Sequence, residues 1–315
     1  MGVPQGSILG PLLFLIYMND IPSSSSYFEF ILYADDTTLF STIKYSISMN
    51  DPNPFQLINE ELHKVGEWLS SNRLSLNVKK TKFMLFHTYQ KNIDHLTPNI
   101  FLNGDTIEQV DTFNFLGIIL DKHMSWKSHI EMLANKISKY CGILTRLKNY
   151  LPLFVLRTLY FSMVNSHLNY GLLAWGYDCN RLIKLQKRSI RTITKSRYNA
   201  HTKPLLKGLE ILSLPDMLLL NALKFYYKYE RKEVPIYFYT FDIKTQGSVH
   251  DHDTRQRNDI RTNRTRLKIT DKCLRNYLPG KINSMPNILL ARINTHSIRG
   301  FSLAIKKSHF ESIPN

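Results

Sequence analysis

Two hydrophobic periods divide the chain. In the first third, short runs alternate with turn residues: Phe30-Ile31-Leu32 and Thr37-Thr38-Leu39-Phe40 are rich enough in β-branched and aromatic residues to predict two strands. Tyr33-Ala34-Asp35-Asp36 lies between them, which predicts a tight hairpin. Ahead of it, Ser7 can cap a helix running through the apolar stretch Ile8 to Met18, with Pro11 in its first turn. That stretch is too short to span a bilayer and reads as a buried helix, ended by Asn19-Asp20-Ile21-Pro22 and the serines 23–26. Phe55, Ile58, Leu62, Val65 and Leu69 recur at helical spacing. Leu74-Ser75-Leu76, Lys82 to His87 and Phe113 to Leu120 then read as strands, and Asn103-Gly104 as a two-residue hairpin turn. The fold class expected is α+β, a split βαβ arrangement with an antiparallel sheet and helices on one face.

From Trp126 the period is helical. Ile130, Leu133, Ile137, Cys141 and Leu144 form one stripe, and Leu156, Tyr160, Met163 and His167 a second. A third helix is expected over 178–196, and more helix from Leu205 to Tyr229, broken at Leu214-Pro215. The pattern is lost from about Gly247 to Lys268, a flexible basic segment, and Cys273 to Phe310 reads as a small helical piece. These changes suggest three regions: 1–120, a helical region 121–200, and a helical, basic extension 201–315.

The composition, 43% hydrophobic in 315 residues, supports real cores. Cys141, Cys179 and Cys273 are far apart and odd in number, which argues against a disulfide framework and for a reducing, intracellular setting; no secretory signal is visible. No cysteine pair has zinc-ligand spacing, and no membrane role follows. His250-Asp251-His252-Asp253 reads as a polar loop rather than a metal site.

Charge changes the picture more. The net charge is +16, but residues 1–120 hold 7 Lys/Arg against 12 Asp/Glu, while 121–315 hold 34 against 13. The second part is what a polyanion would bind. In the third helix Arg181, Lys184, Arg188, Arg191 and Lys195 step by three and four residues, which lines five cations along one stripe while Leu182, Leu185 and Ile193 face inward. Like charges at that spacing repel, and a phosphate backbone offsets the repulsion. The acidic part holds Asp35 and Asp36. Adjacent carboxylates on one turn are either simply solvated or share a divalent cation.

The company of that turn decides between these readings. Gly2-Val3-Pro4-Gln5-Gly6-Ser7 with the helix after it resembles motif B of the reverse transcriptases, and Tyr33-Ala34-Asp35-Asp36 resembles their motif C. Leu76-Asn77-Val78-Lys79-Lys80-Thr81-Lys82 is similar to motif D, and Phe115-Leu116-Gly117 to motif E. The wording is nearest the polymerases of non-LTR retrotransposons, LINE-type and jockey-like.

The resemblance implies a partial polymerase palm followed by a helical thumb-like region. It also implies primer extension with deoxynucleotide triphosphates on an RNA template, with two Mg²⁺ ions and Asp35 and Asp36 as their ligands. Gln5, Gly6, Tyr33 and Ala34 would lie against substrate, Lys80 near the triphosphate as a proton donor, and Phe115, Leu116 and Gly117 at the DNA primer end. Lys79, Lys80 and Lys82 taken alone read as well as an ordinary charged turn. The family's fingers and its motif A aspartate stand before motif B, ahead of Met1, so the chain is expected to have little activity without an N-terminal polymerase portion. A non-catalytic nucleic-acid-binding remnant and an inert, unfolded product are the alternatives.

Overall fold

Residues 6–43, 54–91, 93, 96, 98–249, 257–262, 270 and 273–312 are described by the computed structural model. The chain divides into two units, Met1–Phe113 and Asn114–Asn315.

In the first unit the Ser7 hydroxyl accepts from the Gly10 N–H at 3.1 Å, and helix α1 (Gly10–Met18) follows with its proline in the first turn. Strands β1 (Glu29–Tyr33) and β2 (Asp36–Phe40) pair antiparallel from Glu29 with Phe40 to Tyr33 with Asp36. Helix α2 (Pro54–Ser71) buries all five predicted positions, Phe55, Ile58, Leu62, Val65 and Leu69. Its Glu61 is a buried acid held by Lys64 Nζ and Ser25 Oγ, each at 2.5 Å, and these donors keep its carboxyl below the usual range. That contact ties the chain after α1 to α2.

The remaining strands are short. β3 (Lys82–Phe83) pairs in parallel with β6 (Glu108–Gln109), while β4 (Phe101–Leu102) and β5 (Asp105–Thr106) form the hairpin expected at Asn103-Gly104, both with positive φ. Among the described residues the strands form separate two-stranded pairs rather than one continuous sheet. Leu74-Ser75-Leu76 is not a strand: Leu74 and Leu76 meet the apolar alternation by packing against buried side chains, without a ladder. Lys82 to His87 pairs over two residues only.

A second expectation fails at α1. The stretch is helical but not buried: Ile8, Leu9, Leu12, Leu13, Leu15 and Ile16 are exposed, Ile8 by 94%, and only Met18 of the helix is buried. The apolar residues surround this helix, and a single packing partner can cover one side of it. Met18 and Phe14 join Val65, Leu69, Phe30, Leu32 and Leu39, so α1 and the β1–β2 hairpin share one core.

The second unit opens on β7 (Thr112–Phe115), whose start straddles the boundary, and β8 (Ile118–Asp121). Phe113 to Leu120 is therefore a hairpin, not one strand, because Leu116 and Gly117 both take positive φ between its arms. Helix α3 (Lys127–Leu147) buries Leu133, Ile137, Cys141 and Leu144. The next helix is segmented into α4 (Leu153–Leu159), a π-helical turn at Tyr160–Asn165, and α5 (Ser166–Asn169). Then follow α6 (Leu172–Trp175), α7 (Asn180–Ile193), α8 (Thr202–Gly208) and α9 (Leu214–Glu230). The break expected at Leu214-Pro215 is present: α8 ends at Gly208, and Pro215 lies in the first turn of α9, where its missing N–H does least harm.

Gln186 of α7 lies in the middle of this core, with its amide nitrogen donating to the Tyr160 hydroxyl at 2.9 Å and the Leu212 carbonyl at 3.0 Å. Its amide oxygen accepts from Leu214 N–H at 2.8 Å, satisfying the start of α9. A second core packs α9 against α10 (Leu274–Asn283), α11 (Asn287–Thr295) and α12 (Ile298–Ser312), around Tyr227, Leu278 and Phe301. Most of the basic segment between Gly247 and Lys268, with His250 to Asp253, lies outside the described residues. Where it is described, Asn283 clamps both backbone groups of Ile260 at 2.8 and 2.9 Å.

Candidate functional site

The strand register leaves Ala34 and Asp35 as a two-residue loop, with Asp36 already paired to Tyr33. Ala34 takes φ +50, a conformation that costs a residue with a Cβ about 1 kcal/mol. Strain of this kind is concentrated at working sites. Tyr33, Ala34, Asp35 and Asp36 are all exposed, and neither carboxylate is bonded to another group among the described residues. Two carboxylates without protein partners suit a hard divalent cation in donor chemistry. They fall short in number: among the described residues no group of three or more acids, histidines or cysteines could hold a metal.

Gly6 precedes α1 with φ +84, and among the described residues beyond its chain neighbours no atom lies within 4 Å of where a Cβ would stand, which leaves room for a flat ligand. Gln5 lies outside the described residues. Lys80 is exposed on a turn built by Asn77, whose carbonyl accepts from the Lys80 and Thr81 N–H groups at 3.0 Å. Leu76 and Val78, beside that turn, pack in the cluster that also takes Leu39 of β2. Lys82 is bonded to Glu108, so the three lysines are not equivalent.

Phe115, Leu116 and Gly117 belong to the second unit. Leu116 (φ +48) and Gly117 (φ +82) form the turn itself, and the Tyr170 hydroxyl donates to the Leu116 carbonyl at 2.5 Å. The far arm is fixed to α3: His129 Nδ1 accepts from the Ile119 N–H at 3.2 Å. That bond makes the imidazole neutral with its proton on Nε2, and burial pushes its pKa down. Asp121 then accepts from the N–H groups of His123, Ser125 and Trp126 at 2.9 to 3.1 Å and closes the entry to α3. Sequence reasoning missed Tyr170, His129 and Asp121 as supports. A signal existed for Asp121, since an aspartate at the end of a strand accepts from the N–H two residues on, here that of His123, and so marks a turn.

The cationic stripe is altered. On α7, Arg181, Lys184 and Arg188 are exposed as expected, and Lys187 joins them at the edge. None of these four is in an ion pair among the described residues. Arg191 is half-buried, its Nε donating to the Ala200 carbonyl at 2.9 Å. Lys195 lies beyond the helix at φ +54, because α7 closes at Ile193 when the Ser196 N–H turns back to the Arg191 carbonyl. The stripe is thus three to four cations on the helix with two at its end.

Among the described residues no helix is long and apolar enough to cross a membrane. Residues 1–120 match the family model of the reverse transcriptase (RNA-dependent DNA polymerase). The chain is 26% identical over 232 residues, 69% of its length and 24% of the relative's, to the RNA-directed DNA polymerase from mobile element jockey of Drosophila melanogaster. From the same species, the probable RNA-directed DNA polymerases from transposons BS and X-element are 28% and 24% identical, over 69% and 73% of this chain. The chain spans about a quarter of the length of these relatives. No solved structure matches it. The ordered motifs, the open carboxylate hairpin and these likenesses agree: residues 1–120 are similar to the reverse transcriptases, and about 70% of the chain is similar to the RNA-directed DNA polymerases of mobile elements.

Proposed function

We propose that the chain is the part of a non-LTR retrotransposon reverse transcriptase that starts at motif B, with a partial palm in residues 1–120 and a thumb-like helical region after it. Its substrates are an RNA template, a DNA primer and deoxynucleotide triphosphates, and it works inside the cell. The observation that carries this reading is the β1–β2 tip, where Asp35 and Asp36 have no partner among the described residues, on a hairpin that shares its core with α1.

Asp35 and Asp36 would hold Mg²⁺. The bound ions supply charge stabilisation to the attacking and leaving oxygens of phosphoryl transfer. Gly6 leaves backbone space for the nascent base pair, Lys80 is free to protonate a leaving pyrophosphate, and the turn at Phe115, Leu116 and Gly117 positions the primer end. Two carboxylates do not complete a two-ion site, and the exposed apolar surface of α1 supports completion by a preceding polymerase segment that covers it and brings a third acid. Without that segment the chain is expected to extend primers poorly.

Titration with Mn²⁺ tests the assignment by paramagnetic broadening. The resonances of Tyr33 to Asp36 should broaden first, and the effect should vanish in Asp35→Asn with Asp36→Asn; broadening indifferent to both substitutions refutes it. A second reading, a nucleic-acid binder without catalysis, is favoured by the cations of α7 and predicts affinity independent of Asp35.

A further inference from the structure

The helical unit carries a feature that the polymerase reading does not use. His129 of α3 meets the ring of Trp175, just ahead of α7, while Cys141 of α3 meets Ser189 within α7 at 3.1 Å. This order of contacts runs α3 and α7 in the same direction, so the turn from α3 into α4 and the loop after α7 emerge at one end. Three aromatic side chains are bared there: Tyr150 at 84%, Phe154 at 72% and Tyr198 at 89%. Burial cannot account for them. The Tyr198 loop is held to α7 by Arg191 through Ala200, so its aromatic is presented on a fixed support. Arg146, Lys195 and Arg197 are exposed on the same two segments. Between Met132 and Leu209 the only acid is Asp178, which precedes α7 and so belongs to the opposite end.

Exposed rings among unopposed cations are the combination that grips unpaired nucleic acid: each base offers a face to stack on, and each phosphate a charge. A duplex offers only phosphates to such a surface, because its bases are already stacked. We propose that this end of the helical unit is a binding site for an unpaired nucleic-acid strand, with Tyr150, Phe154 and Tyr198 as stacking platforms beside Arg146, Lys195 and Arg197. The proposal rests on the reading of α7 as a phosphate-binding helix, and adds base stacking to it.

The test is fluorescence anisotropy of the full chain with labelled oligo(dT), oligo(rU) and a duplex of the same length. Tyr198→Ala and the double change Tyr150→Ala with Phe154→Ala should each weaken binding of the unpaired strands by about fivefold or more, and move duplex binding by less than about twofold. Tyr198→Phe, which keeps the ring, should bind as the parent does. The dT and rU arms tell which sugar the site accepts, and binding of either that depends on the rings supports the proposal. Equal losses for duplex and single strand overturn it, as does indifference of all probes to the three rings. Indifference together with a change in sedimentation on losing the rings would assign the surface to a protein partner. Failure of the α7 reading is distinguishable, because Lys184→Ala with Arg188→Ala would then leave duplex binding unchanged. The substituted side chains are exposed, so thermal melts should coincide with the parent's and exclude misfolding.

Discussion

Removing two charges from α7 gives a result that can be worked out in advance. Lys184 and Arg188 stand near the middle of the cationic stripe, both exposed and neither in an ion pair among the described residues. If each neutralises one duplex phosphate, the slope of log K against log salt concentration should fall in magnitude by about 0.9 per cation, or ~1.8 for Lys184→Ala with Arg188→Ala. Over a fourfold rise in salt, the parent should then lose about twelvefold more affinity than the variant. The protein should not be weakened. Alanine is the best helix former, and the change relieves like-charge repulsion worth a few tenths of a kcal/mol per pair, so the melting temperature should stay or rise. Duplex binding followed by anisotropy at several salt concentrations measures the slope. Lys306→Ala with Lys307→Ala on α12 is the control and should leave it unaltered. An unchanged slope in the α7 variant, or an equal change in the control, refutes the reasoning.

Other perturbations probe the scaffold. Gly171→Ala should destabilise more than Gly117→Ala: both have positive φ, but a Cβ at 171 would stand 2.4 Å from Ile118 Cδ1, while one at 117 meets Tyr170 at an ordinary 3.6 Å. Urea unfolding should show about 1–2 kcal/mol for Gly117→Ala, and the reverse order would contradict this packing. Gln186→Leu strands the Leu212 carbonyl, the Leu214 N–H and the Tyr160 hydroxyl in the core, and should cost about 3 kcal/mol in the same assay; a loss under about 1 kcal/mol would argue against a dry network. His129 has a folded-state pKa below its ordinary 6.5, so the unfolded chain binds more protons just under that pH. Stability is complete above about pH 6.5 and falls as the pH drops below it. Melts from pH 5 to 8 should show the decline, and His129→Gln should flatten it in part, with His167, also lowered by burial, supplying the rest.

Much of this was legible in the sequence. The period of Phe55 to Leu69 located α2 and its buried face, and Asn103-Gly104 located a hairpin, because in both cases one local rule decides the outcome. The carboxylate tip at Asp35 was legible for the same reason. The exposure of α1 was not, since an apolar run shows that burial is favourable but not which partner is present. The turn at Leu116-Gly117 was hidden because its arms are apolar and Leu116 is an unusual residue for positive φ; the Tyr170 bond that holds it comes from 54 residues away. Arg191 shows the same limit: helical spacing placed it on the stripe, but the Ala200 carbonyl that engages it depends on where α7 stops.

Primer extension tests the central claim most directly. The chain, preceded by the N-terminal portion of the jockey polymerase, is given an RNA template, a DNA primer and deoxynucleotides with Mg²⁺. The account predicts metal-dependent extension that falls at least about a thousandfold on Asp35→Asn, the scale at which loss of a metal-binding carboxylate removes several kcal/mol of transition-state stabilisation. Extension that survives Asp35→Asn, or no extension by the parent fusion, would contradict it.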